Sequence, residues 1–217
     1  MRHLPNETLL EHASGQHDFA ARVLVEAHLD LCPACRGEHD ELALPGGRLL
    51  AETAPAAPPD ELWAKIEAGL RQPGVPPLPA ELPLAARTEL AAELASRPVS
   101  GLASGTALNW WRLGLGGARM AQLAHDASTG VRLLIGHMPP GLRFPRHVHL
   151  GLEQVVVLSG GYDDERGEFV AGDYGVYEPG SEHGPETLDG DDCWILFRLD
   201  GPVRFRGWRG LLQRLTG

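Results

Sequence analysis

Lysine is nearly missing from this 217-residue sequence: Lys65 is the only one, and the formal net charge is -10. Proteins that grip nucleic acid neutralise phosphates with clustered lysine and arginine, so this balance excludes direct nucleic-acid binding. Long apolar runs are missing as well. No stretch approaches the roughly 20 consecutive apolar residues of a membrane helix. The opening Met1-Arg2-His3-Leu4-Pro5-Asn6-Glu7 lacks the apolar core and small-residue cleavage site of a secretory signal. A cytoplasmic globular protein with no membrane contact is therefore expected. Cysteine is scarce, with three in the chain. That does not make a disulfide framework, and two of the three form C-x-x-C, which in a reducing compartment points to metal binding or dithiol redox chemistry.

What is present divides the chain in two. Asn6 is placed to cap a helix over 7–14, with Gly15 suited to end it. From about 16 to 31, Phe19, Val23, Ala27 and Leu31 recur every fourth residue, the apolar stripe of an amphipathic helix that must be buried. Cys32 lies near the N-cap of a third helix and Pro33 in its first turn, and Pro45-Gly46-Gly47 is expected to break that helix after Leu44. Residues 45–59 read as a linker, and Asp60 is placed to cap a fourth helix over 61–70 anchored by Trp63. A second proline-rich stretch and a short helix over 87–96 follow. Beyond residue 100 the pattern changes to short β-type runs separated by glycine, proline and aspartate, among them 131–135, 154–158, 173–177 and 193–199. Such spacing predicts a sandwich or barrel.

His28, Cys32 and Cys35 form H-x3-C-x2-C, with one helical turn between successive ligands, so three ligating atoms can converge. Thiolates with imidazole favour tetrahedral zinc. The spacing leaves the fourth ligand open among His3, His12, His17 and His39. A redox dithiol is the competing reading, weakened because no strand precedes this C-x-x-C. The segment before residue 45 is also acidic, eight acidic residues against three basic ones, a surplus that can steer a basic protein partner but equally describes a solvated face.

A second constellation follows G-x5-H-x-H-x3-E-x6-G through Gly141, His147, His149, Glu153 and Gly160. On a strand His147 and His149 point to one face. Glu153 can join them across a bend near Gly151, and His183 in Pro179-Gly180-Ser181-Glu182-His183 supplies a third imidazole. Three imidazoles and a carboxylate suit zinc or another divalent transition metal. His125 and His137 carry no motif, and Cys193, before Trp194-Ile195-Leu196-Phe197, reads as a core residue.

Residues His3, Asn6, Leu9 and Leu10, with Ala27 through Arg36, resemble the zinc-binding anti-sigma domain; that resemblance implies His3 as the fourth zinc ligand. The second constellation resembles the cupin barrel, although Gly180 directly follows its proline and Thr187 stands where asparagine is usual. Together the motifs resemble the ChrR family of anti-sigma factors. The resemblance implies an α + β chain of two domains: a zinc-stapled helical bundle over 1–80, a linker over 81–104, and a cupin (double-stranded β-helix or jelly-roll) barrel over 105–200 with an extension over 201–217. It also implies a non-enzymatic regulator that sequesters an extracytoplasmic-function (ECF) sigma factor and releases it on photooxidative stress sensed with the help of the cupin domain. The alternative is a cupin metalloenzyme, a dioxygenase or isomerase, with an accessory zinc domain.

Overall fold

The computed structural model describes residues 1–70, 108–113 and 116–206. The expected helix over 87–96 and the linker over 81–104 lie outside them. Four helices come first: α1 (Asn6–Ala13), α2 (Phe19–Leu31), α3 (Pro33–Glu52) and α4 (Leu62–Leu70). Gly15 ends the first helical segment at φ +71°, as its position predicts. Asn6, expected as a cap, is instead the first helical residue; Pro5 occupies the cap position with no side-chain bond. Asp18 caps α2 by accepting from the Ala21 N–H.

Pro45 does not break α3, which runs through it to Glu52, so the linker begins later than the sequence suggested. A proline inside a helix removes one N–H. Here the affected turn is exposed, and water can satisfy the carbonyl left free.

The second half is β. In chain order the strands are β1 (Trp110–Arg112), β2 (Arg119–His125), β3 (Arg132–Met138), β4 (His147–His149), β5 (Glu153–Ser159), β6 (Gly161–Asp164), β7 (Gly167–Val170), β8 (Tyr174–Tyr177), β9 (Glu182–His183), β10 (Glu186–Thr187), β11 (Cys193–Leu199) and β12 (Val203–Phe205). They form a six-stranded sheet ordered β1-β2-β3-β11-β5-β8 and two three-stranded sheets, β10-β6-β7 and β12-β4-β9. All the pairings are antiparallel.

Antiparallel sheets commonly leave one face to water and alternate accordingly, yet β5 and β11 are apolar nearly throughout. Alternation along the strands explains why. Val155, Val157 and Ile195 point inward and pack with Tyr162, Phe169 and Tyr177. Leu133, Ile135, Val156, Leu158, Trp194 and Leu196 point outward into a second core with Leu9, Ala20, Val23, Leu24 and Leu29 of the helices. The outer face of the large sheet is thus the floor on which α2 lies.

Polar contacts fix that docking. Arg198 of β11 donates to Asp18 Oδ2 from Nε at 2.9 Å and from an Nη at 2.6 Å. Burial alone would raise the Asp18 carboxyl, but the Arg198 and Ala21 bonds outweigh it and hold the group below its usual range. We expect Arg198→Met to lower unfolding free energy by about 1–3 kcal/mol in urea titration, because the partly buried carboxylate loses its cation; an unchanged midpoint would mean the pair adds nothing. Among the described residues no helix is long and apolar enough to cross a membrane.

Candidate metal centres

The first centre lies where the N-terminal segment meets the α2–α3 junction. Cys32 ends α2, its N–H bonding the His28 carbonyl at 2.8 Å, and also occupies the N-cap of α3, so Cys35 falls one turn further on. The structure brings His3 to these residues. Its Nδ1 lies 3.3 Å from Cys32 Sγ and 3.4 Å from Cys35 Sγ, and one ligand atom from each of His3, His28, Cys32 and Cys35 lies within 4.8 Å of the others. Two ligands of a tetrahedral zinc, one sulfur and one nitrogen, sit about 3.6 Å apart on ordinary bond lengths.

The chemistry of the pocket fits a cation. His28 is fully buried; the Gly172 backbone lies close, but among the described residues neither ring nitrogen finds a hydrogen bond of good geometry. An orphaned buried imidazole is costly unless something ligates it. Burial also pulls the His28 pKa down to about 4 and pushes the Cys35 thiol up to about 11, with Cys32 adding to the latter. A divalent cation is the species that would turn such thiols into thiolates here.

The other candidates for a fourth ligand are elsewhere. His12 Nδ1 and His39 Nε2 face each other at 2.9 Å, with His12 Nε2 2.9 Å from Glu26 Oε1, and His17 Nε2 lies 3.0 Å from the Thr8 carbonyl. This cluster ties α1, α2 and α3 together.

The second centre lies inside the β structure. His147 and His149 share the inner face of β4, and His183 of β9 is directly across from His147 in register. The three ligand atoms lie within 4.8 Å of one another, and His147 and His183 Nε2 are 3.1 Å apart. Glu153, at the start of β5, reaches across so that Oε2 lies 3.5 Å from His149 Nε2. The bend that allows this passes Gly151, where any Cβ would fall 2.3 Å from Asp200 Oδ1 and 2.6 Å from the Gly201 nitrogen. Only glycine fits there. All four groups are buried.

Each imidazole is held by its other nitrogen. His147 Nδ1 lies 2.9 Å from the Pro145 carbonyl, His149 Nδ1 3.0 Å from Ser181 Oγ, and His183 Nδ1 2.8 Å from Asp164 Oδ2. A carbonyl only accepts, so His147 carries its proton on Nδ1 and offers a lone pair from Nε2. Such outer contacts fix the tautomer of metal-ligating histidines. Among the described residues His149 Nε2 has no hydrogen-bond partner, only the Glu153 carboxylate nearby, and burial draws the His147 pKa down to about 4. Lone pairs converging in a dry interior repel unless a cation sits among them, so the donor set fits a divalent metal.

Asp164 and Tyr177 belong to this centre and escape the motif. Tyr177 donates to Asp164 Oδ2 at 2.7 Å, its ring lies 4.2 Å from His183, and its hydroxyl meets that of Tyr162 at 2.8 Å. Burial, then Tyr162 and Asp164, raise the Tyr177 phenol well above its usual range. No spacing rule marks either residue, since Asp164 closes a hairpin. Thr187, which stands where asparagine is usual, ties two backbone segments together: its Oγ1 donates to the Pro139 carbonyl at 2.6 Å and accepts from the Leu142 N–H at 2.8 Å. His137 packs on Trp194 and contacts Asp192 at 2.7 Å, and Cys193 is core, as the sequence implied.

Residues 102–203 match the family described as the ChrR cupin-like domain. Over 206 residues the chain is 33% identical to the anti-sigma-E factor ChrR of Cereibacter sphaeroides, an alignment that covers 95% of this chain and 92% of that protein. Among solved structures it is similar to Rhodobacter sphaeroides SigE in complex with the anti-sigma ChrR, with TM-score 0.63 and 30% identity, covering 92% of this chain and 98% of that one.

Proposed function

Because the chain belongs to the ChrR family of anti-sigma factors, we propose that it sequesters an ECF sigma factor in the cytoplasm through its helical unit, and that the barrel governs release. It is a regulator rather than the metalloenzyme that its barrel also resembles. In this reading His3, His28, Cys32 and Cys35 hold zinc, which their thiolate and imidazole donors favour. His147, His149, Glu153 and His183 hold zinc or another divalent transition metal. Photooxidative stress is the signal that the family resemblance suggests.

The exposed apolar surface supports the partner. Leu49 and Leu50 of α3 and Leu62, Trp63 and Ile66 of α4 are all exposed, Trp63 by 67%, and among the described residues neither apolar core takes one from α4. Exposed large apolar side chains in such number mark an interaction face. We expect Trp63→Ala to weaken binding of the sigma factor at least thirtyfold, about 2 kcal/mol, with thermal stability unchanged. Equal affinity of variant and wild type would move the interface elsewhere.

The observation that carries the sensing role is β8. Tyr177 at one end contacts His183 and bonds Asp164; at the other, Tyr174 stands edge-on to His28 at 6.4 Å, and its N–H donates to the Arg2 carbonyl at 3.1 Å. Asp173 beside it accepts from the Arg2 N–H. Both His28 and the residue next to His3 therefore rest on a strand whose far end touches the second centre. A metal-linked change there has a four-residue path to the first centre. Pull-down of the full-length protein from its own bacterium tests the reading: a small sigma factor retained in unstressed cells supports it, and none retained under metal-replete conditions refutes it.

A further inference from the structure

Resting on the metal reading of the barrel but going beyond it, we propose that the barrel interior is a binding site for a small apolar monocarboxylate, its chain in the cavity and its head between Arg132 and the His147, His183 and Glu153 cluster. The cavity measures about 420 Å³. An apolar cavity of about 150 Å³ stays dry and takes one benzene, so this one has room for about a dozen heavy atoms or more. Leu134, Met138, Phe144, Val155, Phe197 and Phe205 are among the apolar side chains of its wall. A sugar or nucleotide placed there would leave hydroxyls or phosphates unmatched, at a cost no apolar contact returns.

The polar groups on the wall select one head. Tyr162 and Thr187 line the cavity, but their hydroxyls are already engaged with Tyr177 and Pro139. That leaves the exposed Trp111 indole N–H, a neutral donor, the histidine and glutamate cluster, and Arg132. Arg132, Leu199 and Glu153 stand in one cross-strand row, so Arg132 and Glu153 are two strands apart, about 10 Å. Among the described residues the Arg132 guanidinium has one hydrogen bond, a long 3.4 Å contact to the Gly201 carbonyl. Neutral imidazoles and one carboxylate leave a divalent cation with a single positive charge uncompensated, and Arg132 adds another, both facing an apolar space. Unpaired charge in such a space is expensive. One carboxylate between the two relieves it, whereas an alcohol leaves the charge standing.

The test uses the full-length, metal-replete protein, with octanoate as probe and with octan-1-ol and acetate as its two halves, followed by calorimetric titration and thermal unfolding. Octanoate at a hundredfold excess over its Kd should raise the Tm by about 5–10 °C. Octan-1-ol should bind at least tenfold more weakly, acetate should not bind, and Arg132→Gln should weaken octanoate at least tenfold. Leu134→Trp, which fills the cavity, should abolish binding; if that variant fails to fold, Arg132→Gln carries the test. Octanol binding as tightly as octanoate overturns the inference, as does the absence of any shift with straight-chain carboxylates from four to twelve carbons. Elemental analysis separates the two levels of failure. Metal retained by wild type and lost on His147→Ala, without carboxylate binding, sinks only the ligand; a barrel that never retains metal sinks the metal reading and this inference together.

Discussion

Cys35→Ser is expected to lower affinity for the sigma factor more than a hundredfold while leaving most of the barrel's β signal intact. Of the helices packed near the first centre, α1 has 8 residues. Isolated helices of that length are marginal in water. Zinc binding supplies on the order of 10 kcal/mol to small helical units that cannot close a core alone. Losing one thiolate should remove about 4 kcal/mol or more of that. The loss is not uniform, because α2 and Leu9 of α1 share the core on the β sheet with Val23, Leu24 and Leu29, whereas α3 buries only Cys35, one of the candidate ligands. Limited proteolysis should therefore open the chain around α3 first. Cys193→Ala, a change to the third cysteine in the barrel core, should cost some stability and no affinity. If Cys35→Ser binds the sigma factor as wild type does, the structural role assigned to the metal is wrong.

Both constellations were legible because spacing is geometry. Four and three residues on helical turns bring His28, Cys32 and Cys35 to one point, and two residues on a strand put His147 and His149 on one face. His183 and His3 required more than spacing: a family resemblance supplied His3, and the fold brings it in because the turn before β8 pins Arg2. Asp164 and Tyr177 left no local trace, since a hairpin end and a strand end meet the histidines only after the sheets close. The α2 docking surface did leave one. Gln154-Val155-Val156-Val157-Leu158 is continuous where a half-solvated strand would alternate, which signals burial of both faces, but a sequence alone does not name the covering element. The end of α3 is not legible, because Pro45 reads as a break in sequence, whereas an exposed helix tolerates it when water replaces the missing bond.

Acidification should destabilise the metal-free protein steeply between pH 6.5 and 4. His28 and His147 both have folded-state pKa values near 4, against 6.5 for the free side chain, each chiefly because burial disfavours the imidazolium. The sign follows from proton counts. Above pH 6.5 neither state binds the proton and the histidines cost nothing; below it the unfolded chain takes protons that the folded chain refuses, so stability falls until the pH reaches the folded value. Each group contributes about 1.4 kcal/mol per pH unit in that window, so at pH 5 the two together remove about 4 kcal/mol. For a chain of this size that is a Tm lower by about 8–16 °C than at pH 7. Metal should oppose the trend, since bound imidazole cannot protonate, and acid then releases the ion together with the fold. Cys35 works on the opposite side: its thiol, raised to about 11 from an ordinary 9, favours the folded apoprotein below pH 9 and withdraws that support as the pH climbs to 11. Thermal unfolding of chelated protein from pH 7 to 4.5, in wild type and His147→Asn, measures the effect. The variant should lose about half the slope, and a Tm that stays flat from pH 7 to 5 in the wild type would mean these imidazoles are not held neutral by burial.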